Sequence, residues 1–200
     1  MTLDKITGVI KASIATKEAI LGSDALIATV LNVARLCTTV LQSGGKVIFC
    51  GNGGSFADAQ HLSAEFTSRF LFDRPGLASI ALGTNSSAMT AIGNDYGYEN
   101  VFSREIESIA MHNDVVIAIT TSGNSPNVIK AIEAAQSKNI PVIVFTGERQ
   151  GKIPSGICTL NVPSTDTARI QESHILLGHI ICELVEDAIF NAANTNEEGY

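Results

Sequence analysis

The stretch Lys46-Val47-Ile48-Phe49-Cys50-Gly51-Asn52-Gly53-Gly54-Ser55 decides the architecture. Its first five residues form a short apolar run that reads as a buried strand. Glycines 51, 53 and 54 then let the backbone take up positive φ and pass close to a ligand as it turns into a helix. Ser55 stands where a helix N-cap is expected, so unpaired backbone N–H groups would face outward there, a setting that attracts anions and phosphate above all. Further along, His61 and Glu65 are four residues apart and share one helical face. They form a candidate metal-binding or acid–base pair. No Gly-Lys-Ser/Thr follows, so this is not a P-loop, and the glycines do not fall as G-x-G-x-x-G. Two readings stay open at this point. One is a phosphate cradle with a chemical pair behind it; the other is an ordinary strand-to-helix turn with a solvated i,i+4 pair.

Downstream, short continuous apolar runs recur at 78–82, 114–119, 141–145 and 157–161. They do not alternate with polar residues, as befits strands covered on both faces. Helical patterns fall between and after them at about 55–70, 86–92, 99–111, 124–137 and 169–192. This βαβ series predicts an α/β fold with a parallel sheet and right-handed crossovers, whose ligands bind at the carboxyl ends of the strands. Upstream, Ile6, Val9, Ile10 and Ile14 form one helical stripe. A second, wider stripe runs from Leu26 to Leu41, and Gly22-Ser23-Asp24 breaks the two. Helices this apolar are expected to pack on other subunits as well as on the sheet. The tail from Asn191 is polar and expected to fray.

Two hundred residues fit one domain, and 45 % hydrophobic against 16 % charged residues allows a sizeable core. A net charge of −7 with no basic cluster argues against nucleic acid and anionic membranes as main partners. A phosphorylated ligand would therefore be held by hydroxyls and backbone N–H groups more than by lysines. No apolar run approaches membrane-spanning length, and the N-terminus lacks the layout of a secretory signal. Cys37, Cys50, Cys158 and Cys182 form no C-x-x-C pair and read as buried, reduced thiols of a cytoplasmic protein.

Three further stretches carry chemistry. Thr120-Thr121-Ser122-Gly123-Asn124-Ser125-Pro126 joins the third strand to a helix, with Ser125 as N-cap and Pro126 in the first helical position. Its hydroxyls and free N–H groups can solvate a phosphate without lysine. A second such loop, at the end of a second parallel strand, tips the balance toward phosphate binding. Residues 94–98, Asn-Asp-Tyr-Gly-Tyr, read as a polar loop in which Asp95 is either a sugar contact or a turn residue. In Arg169-Ile170-Gln171-Glu172 through His179, Gln171 and His179 lie on one side of a helix two turns apart. A lone histidine in so apolar a run is usually a core residue unless it meets His61 and Glu65. His174 and His112 read as surface residues.

Taken together in order, Gly51-Asn52-Gly53-Gly54-Ser55, His61-x-x-x-Glu65, Gly93-Asn94-Asp95-Tyr96-Gly97, Thr121-Ser122-Gly123-Asn124-Ser125 and Arg169-Ile170-Gln171-Glu172 with His179 make the chain resemble the sugar isomerase (SIS) domain family. Within it, the branch of bacterial phosphoheptose isomerases is the most similar. The resemblance implies a three-layer α/β sandwich with a five-stranded parallel sheet and added N-terminal helices. It implies a homotetramer with sites between subunits and the conversion of sedoheptulose 7-phosphate to a heptose 7-phosphate for lipopolysaccharide heptose. Carried over to this chain, Ser55 and Thr120, Thr121, Ser122 and Ser125 would hold the phosphate. Asn52, Gly53, Gly54, Asn94, Asp95 and Gln171 would contact the sugar. His61, Glu65, Gln171 and His179 would bind zinc, with Glu65 and His179 as the acid–base pair. One departure is Ala168, where some members carry an acidic residue directly before the arginine. The alternatives from other classes are a non-catalytic SIS-domain protein of the replication-initiator-associating type, expected to lose Glu65 and His179, and a different sugar-phosphate isomerase.

Overall fold

The computed structural model describes residues 2–191, and the polar tail from residue 192 lies outside them. Helices α1 (Leu3–Leu21) and α2 (Asp24–Gln42) come first. The break between them falls where the sequence predicts, and the Ser23 hydroxyl accepts from the Leu26 N–H as the cap of α2. Five strands follow: β1 (Val47–Gly51), β2 (Ser79–Ala81), β3 (Val115–Ile119), β4 (Val142–Thr146) and β5 (Cys158–Asn161). Interleaved are α3 (Gly54–Thr67), α4 (Ser86–Tyr96), α5 (Val101–Ile109), α6 (Pro126–Ser137) and α7 (Thr167–Glu186).

The strands pair in the order β2-β1-β3-β4-β5, all parallel. From β1 the chain steps outward to β2, then crosses back over β1 to β3 and continues the other way. The order therefore reverses between β1 and β3, and the crevice outside their carboxyl ends is where open α/β sheets take ligands. Alternate strand residues feed two cores. Val47, Phe49, Val115 and Ile117 pack with α2, α3 and α7 on one face. Ile48, Cys50, Val116 and Ala118 pack with α5 and α6 on the other. This is the three-layer arrangement, and it explains why the strands read as unbroken apolar runs.

Several expectations need correction. Helix α2 is long and apolar enough to cross a membrane by length and composition; in this fold Leu26, Val30, Val33, Ala34, Cys37 and Val40 are spent on the core. Residues 94–96 are the last turn of α4 rather than a loop, because nothing breaks the helix before Gly97 at φ 88°. His174 is fully buried, not on the surface. Cys37, Cys50 and Cys182 are buried free thiols, but Cys158 is exposed on the edge strand β5. The stripe of α1 stays open: Ile6, Val9, Ile10 and Ile14 are each about half exposed, and of α1 only Thr16 and Ile20 are buried.

Candidate active site at the carboxyl edge of the sheet

The two chemical loops leave neighbouring strands, β1 and β3, and are laced together by side chains. Asn52 and Asn127 exchange reciprocal amide hydrogen bonds of 2.8 and 2.9 Å. The Tyr98 hydroxyl adds a third by donating to Asn52 Oδ1 at 3.2 Å. Asn127 and Tyr98 are thus supports that sequence reading missed. Asn127 carries only the weak signal of a buried amide in a first helical turn, and Tyr98 carries none. Asn52 shapes the crevice in addition to any contact it offers a ligand.

The first loop owes its form to two glycines. Gly53 holds φ 56° and is itself the N-cap of α3, with no side chain to cap the helix. Ser55 therefore lies inside the first turn, not at the cap, and is buried. Gly54 leaves room for Gln171 of α7: a Cβ there would sit 2.5 Å from the Gln171 amide nitrogen. Gln171 is thereby placed against the glycine turn.

The second loop is shaped by its own hydroxyls. Thr120 Oγ1 accepts from Gly123 N and Ser122 Oγ from Asn124 N, each at 3.2 Å. Ser125 takes the N-cap position of α6 and Pro126 its first turn, as the sequence predicts, but Ser125 makes no capping bond with its side chain. Its hydroxyl is not committed to the helix. Thr121, Ser122 and Asn124 line a cleft of about 170 Å³ together with Arg149, Ser164, Thr165 and Thr167. Asp95 opens elsewhere, onto a cleft of about 410 Å³ between α4 and α5 beside Arg104 and Glu105. Asn94 donates to it at 2.7 Å.

Behind the glycine turn, α3 and α7 bring three ligand-type side chains together. His61 Nε2 is 2.8 Å from His179 Nε2 and 3.2 Å from Glu65 Oε1. All three ligand atoms lie within 4.8 Å of one another. Gly178 permits this approach, since a Cβ there would meet Leu62 of α3 at 2.5 Å. Two imidazole nitrogens and a carboxylate oxygen suit zinc and other divalent metals. Their spacing is near the roughly 3.3 Å that separates tetrahedral ligands about 2.05 Å from one ion. His179 is therefore more than the lone core histidine its apolar context suggests. One turn before His61, Asp58 has one carboxyl oxygen enclosed without a hydrogen-bond partner among the described residues. Burial pushes its carboxyl up to about 6, with His61 pulling the other way.

This geometry agrees with what the chain is similar to. The model of the SIS domain matches residues 12–147. The chain belongs to the SIS-domain family. It is 52 % identical over 189 residues to the phosphoheptose isomerase of Aneurinibacillus thermoaerophilus, covering 94 % of this chain and 95 % of that one. It is 49 % identical over 190 residues to the phosphoheptose isomerase of Burkholderia pseudomallei, covering 94 % and 96 %. The solved structure of the Francisella tularensis phosphoheptose isomerase superposes with a TM-score of 0.88 at 35 % identity, covering 94 % of this chain and 100 % of that one. GmhA of Neisseria gonorrhoeae, also a phosphoheptose isomerase, gives 0.84 at 41 %, covering 92 % and 98 %. The resemblance read from the motifs to this branch of SIS proteins is thus borne out.

Proposed function

We propose that this chain is an aldose–ketose isomerase that converts sedoheptulose 7-phosphate to D-glycero-D-manno-heptose 7-phosphate, the first step toward nucleotide-activated heptose. The observation that carries the reading is the convergence of His61, Glu65 and His179 beside two hydroxyl- and glycine-rich loops at one switch point. The names of relatives that match almost the whole chain support it.

The reaction moves one proton between adjacent carbons and one between their oxygens. Glu65 is the group for the carbon: it removes the proton beside the carbonyl and returns it to the neighbouring carbon through a cis-enediol. His179 handles the proton of the oxygens, since a ring nitrogen can both donate and accept. The N–H groups at the start of α3 and the hydroxyls of Ser55, Thr121, Ser122 and Ser125 receive the phosphate, with Thr120 shaping their loop. Asn52, the Gly53 and Gly54 backbone and Gln171 orient the sugar; Asp95, which opens onto the α4–α5 cleft of this chain, and Asn94, which donates to it, join that role only where a neighbouring subunit brings them to the site. His61, Glu65 and His179, joined by Gln171, would hold a zinc ion that polarises the carbonyl and hydroxyl oxygens. The exposed apolar stripe of α1, with Ile27 and Leu31 of α2, supports a homotetramer. We place the enzyme in the cytoplasm.

The test is turnover of sedoheptulose 7-phosphate by metal-free and zinc-loaded protein, with deuterium uptake from solvent at the carbon beside the carbonyl followed by NMR. Product with exchange is the expected result. Neither product nor exchange in either preparation would overturn the proposal and favour a binding role or another sugar phosphate.

A further inference from the structure

The segment after α3 is fastened by one ion pair, Arg74 Nε to Glu186 Oε1 at 2.7 Å, with side chains only 3 % and 1 % exposed. The rest of the guanidinium does not face acids. Nη2 donates to the Glu65 carbonyl and Nη1 to the Phe66 carbonyl, both at 2.8 Å, with longer contacts to Ser68 and Pro75. The carbonyls of Glu65, Phe66 and Ser68 belong to the end of α3, where a helix leaves its carbonyls without partners of its own. Glu186 works in the other direction. Its two oxygens accept from Phe70 N at 2.9 Å and Leu71 N at 2.7 Å. Burial opposes its charge, yet these N–H groups and Arg74 hold the carboxyl below the usual range. Phe70, so fixed, lays its ring 5.5 Å from that of His179. Glu186 closes α7 two turns beyond His179 and on the same side.

These contacts form a closed circuit. It runs from Glu186 along α7 to His179, across to the ring of Phe70, and back to Glu186 through the Phe70 N–H, while Arg74 ties the end of α3 to Glu186. A buried ion pair is a poor device for stability alone, since apolar residues of the same volume do as well. The planar fork of arginine, however, ties one acid and two carbonyls at fixed angles, which lysine cannot reproduce. We propose that Arg74 and Glu186 are positioning residues for the reaction: they set the end of α3 against α7 and thereby hold Glu65 and His179 at their working separation. The inference rests on the proposed roles of Glu65 and His179.

Three variants test it: Arg74→Lys, Glu186→Gln, and the apolar pair Arg74→Met with Glu186→Leu. Folding is followed by circular dichroism and urea midpoint. Cobalt(II) affinity is read from its visible absorption, and kcat and KM are measured with sedoheptulose 7-phosphate. In folded Arg74→Lys we expect kcat and cobalt affinity to fall about 10–100-fold, as for residues that orient metal ligands. KM should stay nearly unchanged, because the phosphate loops hang from β1 and β3. The apolar pair should regain the urea midpoint but neither kcat nor cobalt affinity. Glu186→Gln, which keeps size and one acceptor oxygen, carries the same test if the lysine variant does not fold. A variant folded as well as wild type that keeps wild-type kcat and cobalt affinity would overturn the proposal. Absence of turnover in the wild type would instead remove the substrate assignment, while the cobalt titrations still decide the positioning role.

Discussion

Helix α7 carries two histidines five residues apart, and they end in opposite surroundings. His179 looks out toward α3, partly exposed, with its Nε2 against that of His61. His174 is sealed against the sheet, where its Nε2 donates to the Thr146 carbonyl at 3.2 Å and its Nδ1 has no hydrogen-bond partner among the described residues. A carbonyl can only accept, so Nε2 carries a proton. Burial pushes the His174 imidazole down to about 4, partly offset by the bond to Thr146. One face of the helix thus turns its imidazole toward His61 and Glu65, where we propose that it reacts, and the other uses it as packing. Residue type alone does not separate the two. The difference is the neighbour each ring meets.

Breaking the reactive face should have the largest effect. Glu65→Gln is expected to lower kcat by about 10³-fold or more, in the range of lost acid–base catalysis, while sugar-phosphate binding stays measurable. Isothermal titration beside the turnover assay checks it, and near-normal turnover would remove Glu65 as the base. The packed face should respond in stability instead. The unfolded chain protonates His174 near the ordinary value while the folded chain does so only near 4. Stability therefore falls as pH drops from about 6.5 to about 4, by up to about 3 kcal/mol, and levels off below. His174→Gln keeps a donor for Thr146 and should flatten that slope in urea midpoints measured across pH, with activity near neutrality largely kept. A slope as steep as wild type's would place the acid sensitivity elsewhere.

Two smaller changes sharpen the contrast on the crevice side. Gly54→Ala drives a methyl into the Gln171 amide, which can swing away. We expect little change in melting temperature and a loss of about tenfold in kcat/KM, comparable to a misplaced orienting group. If kcat/KM holds, Gln171 does not orient the sugar. Ser125→Ala is the mildest. Since Ser125 caps nothing with its side chain, stability should stay within about 0.5 kcal/mol. KM for the sugar phosphate should rise several-fold with kcat nearly unchanged, as for lost uniform binding. An unchanged KM would move the phosphate away from this hydroxyl.

The sequence by itself determined the layers. Unbroken apolar runs at five places and helical patterns between them specify a parallel sheet covered on both faces, because each periodicity matches only one way of burying side chains. It also pointed to the loops after β1 and β3, since glycines and capping residues act over a few neighbours. The i,i+4 pairing of His61 and Glu65 was legible for the same local reason. Tertiary structure decided the rest. That His179 joins the pair, that Gln171 fills the space over Gly54, and that Asn127 locks Asn52 depend on which strands lie side by side. The order β2-β1-β3 is set by crossovers, not by any local pattern. Gly53 rather than Ser55 opens α3 because the turn needs positive φ two residues earlier than the capping pattern suggests. His174 and Arg74 are illegible in the sequence for a common reason. Their meaning lies in partners far away in the chain, a carbonyl of β4 and a carboxylate at the end of α7, which only the folded chain supplies.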